Sequence, residues 1–322
     1  MQEISQQPYK IMQELTEMEG EMQREQIPLS PEMKELLEKN LESLMSKMKA
    51  GESIYKEDLK FIAEIREWFE VQKLIRKLGR QYDDAVNIAK MLGKSGWRKE
   101  QKVPSKEEVV KQLSNLPKKK LKEIMSFDKP QLLMTPPTTM AEKEKKMNAN
   151  KPYADENGQT QDNMYFGEDK NSDLWNPRPS KLIISVTDGA PSMPQLPPEL
   201  VSKKWGERYK AVYEEYKKKG VQMITAHEYA VLMQMSLMEY KKAKEDENHP
   251  NHDNPEALIA DFCKENWTYT AFYQPEQNLT ELEKVPCGNF SSGNRRVSFY
   301  WGAPTRDYDY LRFRPSVQVF EF

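Results

Sequence analysis

The chain has 322 residues, 31% of them charged, with a formal net charge of −2 and a sequence pI near 6.1. That balance excludes a global electrostatic pull toward nucleic acid or an anionic membrane, and the length allows two domains. A mean hydropathy of −0.88 describes a very polar chain with modest cores and a good deal of linker.

Residues 1 to about 125 read as helix, a bundle or hairpin array. Ser30-Pro31-Glu32 is a helix start, with Ser as cap and Pro at the first helical position. Met33, Leu36, Leu37, Leu41, Leu44, Met45 and Met48 recur behind it at helical spacing, and Gly51 ends the run. Leu59, Ile62, Ile65, Phe69, Leu74 and Leu78 trace a second stripe, which Gly79 is expected to close. Tyr82 to Met91 forms a third helix, and Ser105-Lys106-Glu107-Glu108 is a capping box before Val109, Val110 and Leu113. Arg66 to Lys122 leans basic. No recognition motif accompanies it, so it reads as a solvated helix face.

From 126 to 180 the pattern changes. Pro130, Pro136, Pro137, Pro152, Pro177 and Pro179, with Asn-rich turn signals, indicate a linker. Lys181 to Gly189 is then a strand ending in a turn, Trp205 to Tyr216 a helix that Gly220 terminates, and Val221 to Ile224 a short extended run. Thr225-Ala226-His227-Glu228 is a capping box opening a helix from Tyr229 to Lys244, and a short helix spans Ala257 to Glu265. Short strands and turns follow from Trp267. The region 181–322 therefore reads as an α+β domain, which makes the whole an all-α half followed by an α+β half.

The tail has its own composition. From Val285 to Val317 there is no Lys, Glu, Gln or Met, and Gly, Asn, Ser, Arg, Tyr, Asp and Phe dominate. Tyr and Trp give rigid contact area while Ser, Gly and Asn give adaptable hydrogen bonding, as in antibody paratopes. A plain strand-rich tail would also favour Tyr, Phe, Val and Ser and avoid Lys and Glu, but strand propensity leaves the missing Gln and Met and the added Asn, Gly and Arg without a reason, so a binding surface and a strand-rich tail stand side by side here.

Little points to catalysis or metal. Cys263 and Cys287 stand in no CxxC pair, and a disulfide between them is allowed but not implied. His227, His249 and His252 have no zinc-site spacing. No Ser-His-Asp spacing, phosphate loop or paired-carboxylate motif stands out, so the expectation is a non-catalytic protein without cofactor or metal. No run of eighteen apolar residues is present, and the first residues lack signal-peptide character, so the expected location is the cytoplasm.

Gly220-Val221-Gln222-Met223-Ile224-Thr225-Ala226-His227-Glu228-Tyr229-Ala230 and Leu311-Arg312-Phe313-Arg314-Pro315-Ser316-Val317 resemble two signatures of the C-type-lectin fold, in the version shared with formylglycine-generating enzymes. Ile224 stands where that family usually has proline, and Arg312 stands in the place of a glycine. The closer resemblance is to the variable proteins of diversity-generating retroelements, bacterial or phage-borne, which use this fold as a scaffold. Reverse transcription rewrites their tail at template adenines, and Asn codons treated so never yield Lys, Gln, Glu, Met or Trp. The depletion in 285–317 matches that rule, with Trp301 as a constant scaffold position. The resemblance covers roughly 180–322.

It implies a C-type-lectin-like ligand-binding domain over 181–322, preceded by the helical region 1–125 and the linker 126–180. Strand alternation sets Val297, Phe299 and Trp301 on a buried face, and Ser298 and Tyr300 on the other. The expected ligand residues are Asn289, Phe290, Ser292, Asn294, Arg295, Ser298, Tyr300, Arg306, Tyr308 and Tyr310. Phe313, Val317 and Val319 are expected in the core, with Arg312 or Arg314 paired to a carboxylate beneath the site. The partner at this patch is a protein or surface ligand of unspecified identity, and the N-terminal helices are available for a protein partner or self-association. Two other readings stand beside it: a phage tail or structural interaction protein with an unvaried lectin-like domain, and a helical nucleic-acid-binding adaptor using Arg66 to Lys122.

Overall fold

The computed structural model describes residues 31–52, 56–93, 103–127, 129–150, 164–166, 180–186, 198–201, 203–262, 268–273, 279, 282–291, 294, 296–307 and 311–322, with scattered positions between 11 and 24. The chain is mixed α and β, and two units divide between Lys77 and Leu78.

The first unit holds α1 (Pro31–Lys49) and most of α2 (Lys56–Arg80). Leu44 and Ile62 form one buried cluster with Ile11 and Met18 packed on it, and Ile65, Phe69, Leu74 and Ile75 are buried as well. Ion pairs join Lys47 to Asp58 at 2.8 Å, Lys73 to Glu21 at 3.1 Å, and Arg66 to Glu14. Partly exposed pairs of this kind contribute about 1 kcal/mol or less each. Met45 and Leu59 are exposed.

The second unit, Leu78–Phe322, opens with the end of α2, then α3 (Tyr82–Gly93), α4 (Lys106–Ser114) and α5 (Lys118–Met125). The helices thus do not form one domain ending at 125. Gly79 does not stop α2 either. It lies in the last turn, where a Cβ would stand 3.3 Å from Val110, so the glycine serves close packing. At α4 the expected capping box is present: Ser105 Oγ accepts from the Glu108 N–H at 3.2 Å, and the Glu108 carboxylate accepts from the Ser105 N–H at 2.6 Å.

The stretch 126–180 is not simply a linker. It supplies β1 (Pro130–Thr135), α6 (Met140–Asn150) and β2 (Met164–Phe166). Leu132, Leu133 and Met134 are all fully buried, so this strand shows no alternation in sequence. One edge of β1 pairs with β3 (Lys181–Val186). Gln81 covers the other edge, accepting from the Leu132 N–H at 2.7 Å and donating to the Pro130 carbonyl at 3.2 Å. A carboxamide so placed stands in for a missing neighbour strand.

After α7 (Pro198–Val201), α8 (Trp205–Lys219) ends at Gly220, whose φ of 76° suits glycine. β4 (Gln222–Met223) leads to α9 (Ala226–Glu245). Its N-cap Thr225 and Glu228 form the second capping box, at 3.2 and 2.8 Å. A 3-10 turn, Pro255–Leu258, takes the place of the helix expected from Ala257, and 263–267 lie outside the described residues.

β5 (Tyr269–Ala271), β6 (Val285–Ser291), β7 (Arg296–Gly302), β8 (Leu311–Phe313) and β9 (Pro315–Glu321) follow. One antiparallel sheet has the order β1-β3-β9-β4. The other has the order β2-β7-β6-β5-β8, with β2 parallel to β7 and β5 parallel to β8. The five-stranded sheet lies between two helices. On one face Phe290, Val297 and Phe299 join α9, together with Leu133 and Ile183 of the first sheet. On the other face Val285, Cys287, Leu311 and Phe313 join Trp205, Tyr209 and Val212 of α8. Strand alternation divides β7 with Val297 and Phe299 buried on one face and Trp301 half-buried beside them, but both faces meet a helix. Among the described residues no helix is long and apolar enough to cross a membrane.

Candidate functional site

The loop between β7 and β8 is held by its main chain. The Trp205 N–H, at the start of α8, donates to the Arg306 carbonyl at 2.7 Å, and the Gly206 N–H donates to the Pro304 carbonyl at 2.9 Å. Arg208, fully buried, donates through Nη2 to the Asp307 carbonyl at 3.2 Å and through Nε to the Lys203 carbonyl at 2.6 Å. The first N–H groups of a helix have no partner within it, so loop carbonyls fit there naturally. Gly206 is required for this approach, since a Cβ would meet Pro304 Cβ at 2.9 Å. Ala303, Thr305 and Asp307 keep exposed side chains. The Arg306 guanidinium, half-buried, stacks 5.3 Å from the centroid of the Trp205 ring.

Several expected ligand residues fall elsewhere. β6 runs on through Ser291, so Asn289 and Phe290 belong to a central strand and not to a turn. Phe290 is buried in the α9 core, 6.0 Å from the Phe262 ring, and Asn289, opposite Ser298, is also buried. Tyr300 is half-buried and packs against the α8 core, edge-on to Tyr269 at 5.3 Å. It therefore does not face an open surface, because α8 covers that end of the sheet. Ser298 is half-buried. Asn294 is exposed at the tip of the β6–β7 turn, its N–H bonded to Ser291 Oγ at 3.3 Å. Ser292, Arg295, Tyr308 and Tyr310 lie outside the described residues. The structure thus leaves Asn294 and Arg306 of the expected set on exposed connections, and sends Asn289, Phe290 and Tyr300 inward.

Beneath the sheet stands a buried polar centre. Asp261 has a φ of 60°, unusual for a non-glycine residue, and is fully buried. Its carboxylate accepts from the Tyr229 hydroxyl at 2.6 Å, Thr270 Oγ1 at 2.7 Å and Arg314 Nη2 at 2.5 Å. Burial and the neighbouring Asp261 carboxylate hold the Tyr229 hydroxyl well above its ordinary titration range. The carboxylate partner expected for Arg312 or Arg314 is thus Asp261, on Arg314, while Arg312 is half-buried. Sequence reading did not single out Asp261. Its signal is an acid set among Ile259, Ala260 and Phe262. Phe313 and Val317 are buried as expected, and Val319 is half-buried.

Cys287 is a free, fully buried thiol, and burial pushes its titration upward. An activated nucleophilic thiol is shifted the other way. Cys263 lies outside the described residues. Comparison of the chain with protein-family models, with curated proteins and with solved structures finds no match.

Proposed function

We propose that this chain is a non-catalytic ligand-binding protein whose C-terminal unit presents exchangeable connections on a C-type-lectin-like frame, in the manner of the variable proteins of diversity-generating retroelements. The candidate recognition elements are the connection between β6 and β7, which in sequence carries Ser292, Asn294 and Arg295, and the connection between β7 and β8, which carries Arg306, Tyr308 and Tyr310; the two stand at opposite ends of β7. Ser298 stands on the strand between them. The observation that carries the reading is the way the β7–β8 loop is held: Pro304, Arg306 and Asp307 are bound through their carbonyls, which every amino acid possesses. Side chains there can change without removing what positions the loop. A frame of this kind also needs closure, and β3 and β9, the first and last strands of 181–322, pair directly.

Two experiments test it. The genomic neighbourhood is expected to hold a reverse transcriptase gene and a near-copy of the 3′ coding segment, differing at adenines. Their absence leaves an unvaried interaction surface as the reading. Independently, a library randomised at Ser292, Asn294, Arg295, Arg306, Tyr308 and Tyr310 is expected to stay largely folded by protease resistance. A library randomised at Trp205, Tyr229, Asp261 and Arg314 is expected to collapse. Equal losses in the two libraries sink the proposal.

A further inference from the structure

Lys143 is a buried cation that the ligand reading leaves unused. It sits in the first turn of α6 and is fully buried. Its Nζ donates to the Thr138 carbonyl at 2.8 Å, to Thr138 Oγ1 at 2.9 Å and, more weakly, to the Pro136 carbonyl at 3.4 Å. The fourth neighbour is His227 Nδ1 at 3.0 Å, from the first turn of α9. A buried ammonium is ordinarily matched by a carboxylate. Among the described residues none is bonded to it. Glu142, the acid next to it, holds the Thr139 N–H at 2.9 Å and Thr139 Oγ1 at 3.2 Å. Glu228, beside His227, accepts from the Thr225 N–H at 2.8 Å and the Ser316 hydroxyl at 3.3 Å. On α3, which also packs against α6, Asp83, Asp84 and Lys90 are exposed.

The protons available decide what this cluster tolerates. An ammonium has three hydrogens and no acceptor, and Thr138 O, Thr138 Oγ1 and His227 Nδ1 are the three close acceptors. Nδ1 accepts only in a neutral imidazole. A second proton on the pair would set two cations 3.0 Å apart in a dry interior. We propose that Lys143 and His227 form a proton-operated latch, which holds the Pro136–Lys143 segment on the first turn of α9 while the pair carries at most one positive charge and opens when it takes a second.

Burial lowers the Lys143 amine from 10.5 to about 7. Between those values the unfolded chain binds a proton that the folded chain lacks, so stability rises with pH across that window and is lost as pH falls to about 7. Below it the lysine is charged in both states, and the imidazole is the group of the pair that has a free lone pair for a further proton. The mechanical consequence follows from topology. α6 leads to β2 and packs on it, and β2 forms the outer neighbour of β7, with Tyr165 opposite Ser298. Opening the latch removes the support behind that edge. None of this depends on what the C-terminal surface binds.

Hydrogen exchange on the intact chain tests the latch. After correction for intrinsic rates, peptides covering 136–147 and 224–231 are expected to exchange about tenfold faster near pH ~5 than near pH ~7.5. Peptides from the middle of α8 are expected to keep their protection. His227→Gln retains an acceptor and cannot take the proton, so the acid acceleration is expected to vanish. No acceleration in the wild type, or the same acceleration in His227→Gln, overturns the proposal. Should that variant misfold, imidazole NMR of the wild type gives a second reading. The His227 ring is expected to gain its second proton over the same pH range in which 136–147 loses protection, and a ring that gains it while 136–147 stays protected overturns the latch equally.

Discussion

Asp261 and Asp307 are two acids of the same unit held in opposite ways. Asp261 is held by its side chain, which three donors surround in the dry interior. Asp307 is held by its carbonyl, which Arg208 binds, while its carboxylate is exposed. The first kind of attachment makes residue identity indispensable, and the second makes it nearly irrelevant to the fold. A binding surface that must change while its frame persists needs the two kinds to be segregated, buried centre from exposed rim.

The largest expected effect breaks the centre. Asp261→Ala removes the carboxylate that the buried Arg314 guanidinium, Tyr229 and Thr270 share, and removing one partner of a buried ion pair costs about 3–5 kcal/mol. Urea denaturation of the full chain measures it. Asp307→Ala is expected within about 0.5 kcal/mol of the wild type, the range of ordinary surface substitutions. Comparable losses in the two variants would erase the distinction between them.

Next comes the packing that covers the sheet. Gly302 lies under α8, and a Cβ there would stand 2.5 Å from Trp205 Cζ3. The indole is fully buried and has little room to yield, so Gly302→Ala is expected to cost about 1–3 kcal/mol, read as a lowered thermal midpoint. Ala303→Ser, one residue on and exposed, is expected to be neutral in the same measurement. A smaller step tests the other face of the sheet. Thr225→Ala removes the cap of α9 and is expected to cost about 1 kcal/mol by denaturation.

What the sequence disclosed follows the range of the interactions. The capping boxes at Ser105 and Thr225, the helix stop at Gly220 and the alternation of Val297 and Phe299 depend on near neighbours, so they were legible. β1 was not. Leu132, Leu133 and Met134 are buried together, and the strand exists because β3, about fifty residues away, pairs with it. α6 was hidden because its buried positions, Met140, Lys143 and Met147, include a lysine that reads as solvent-facing. At the site, the composition of 285–317 marked a region but could not separate Phe290, which supports the frame, from Asn294, which does not. That division comes from how far β6 extends before it turns, and from which end of the sheet α8 covers.

The smallest expected effect is also the sharpest test of the loop. Arg306 does two separable things: its carbonyl receives the Trp205 N–H, and its guanidinium stacks on the indole. Arg306→Ala keeps the first and removes the second. A half-exposed cation–π contact is worth about 0.5–1 kcal/mol, so stability is expected to fall by no more than that. The loop's amide protection in hydrogen exchange is expected to persist, because the main-chain bonds at Pro304 and Arg306 remain. Were the side chain the true anchor, Arg306→Ala would release 303–307 to rapid exchange. The rim would then tolerate change no better than the centre around Asp261.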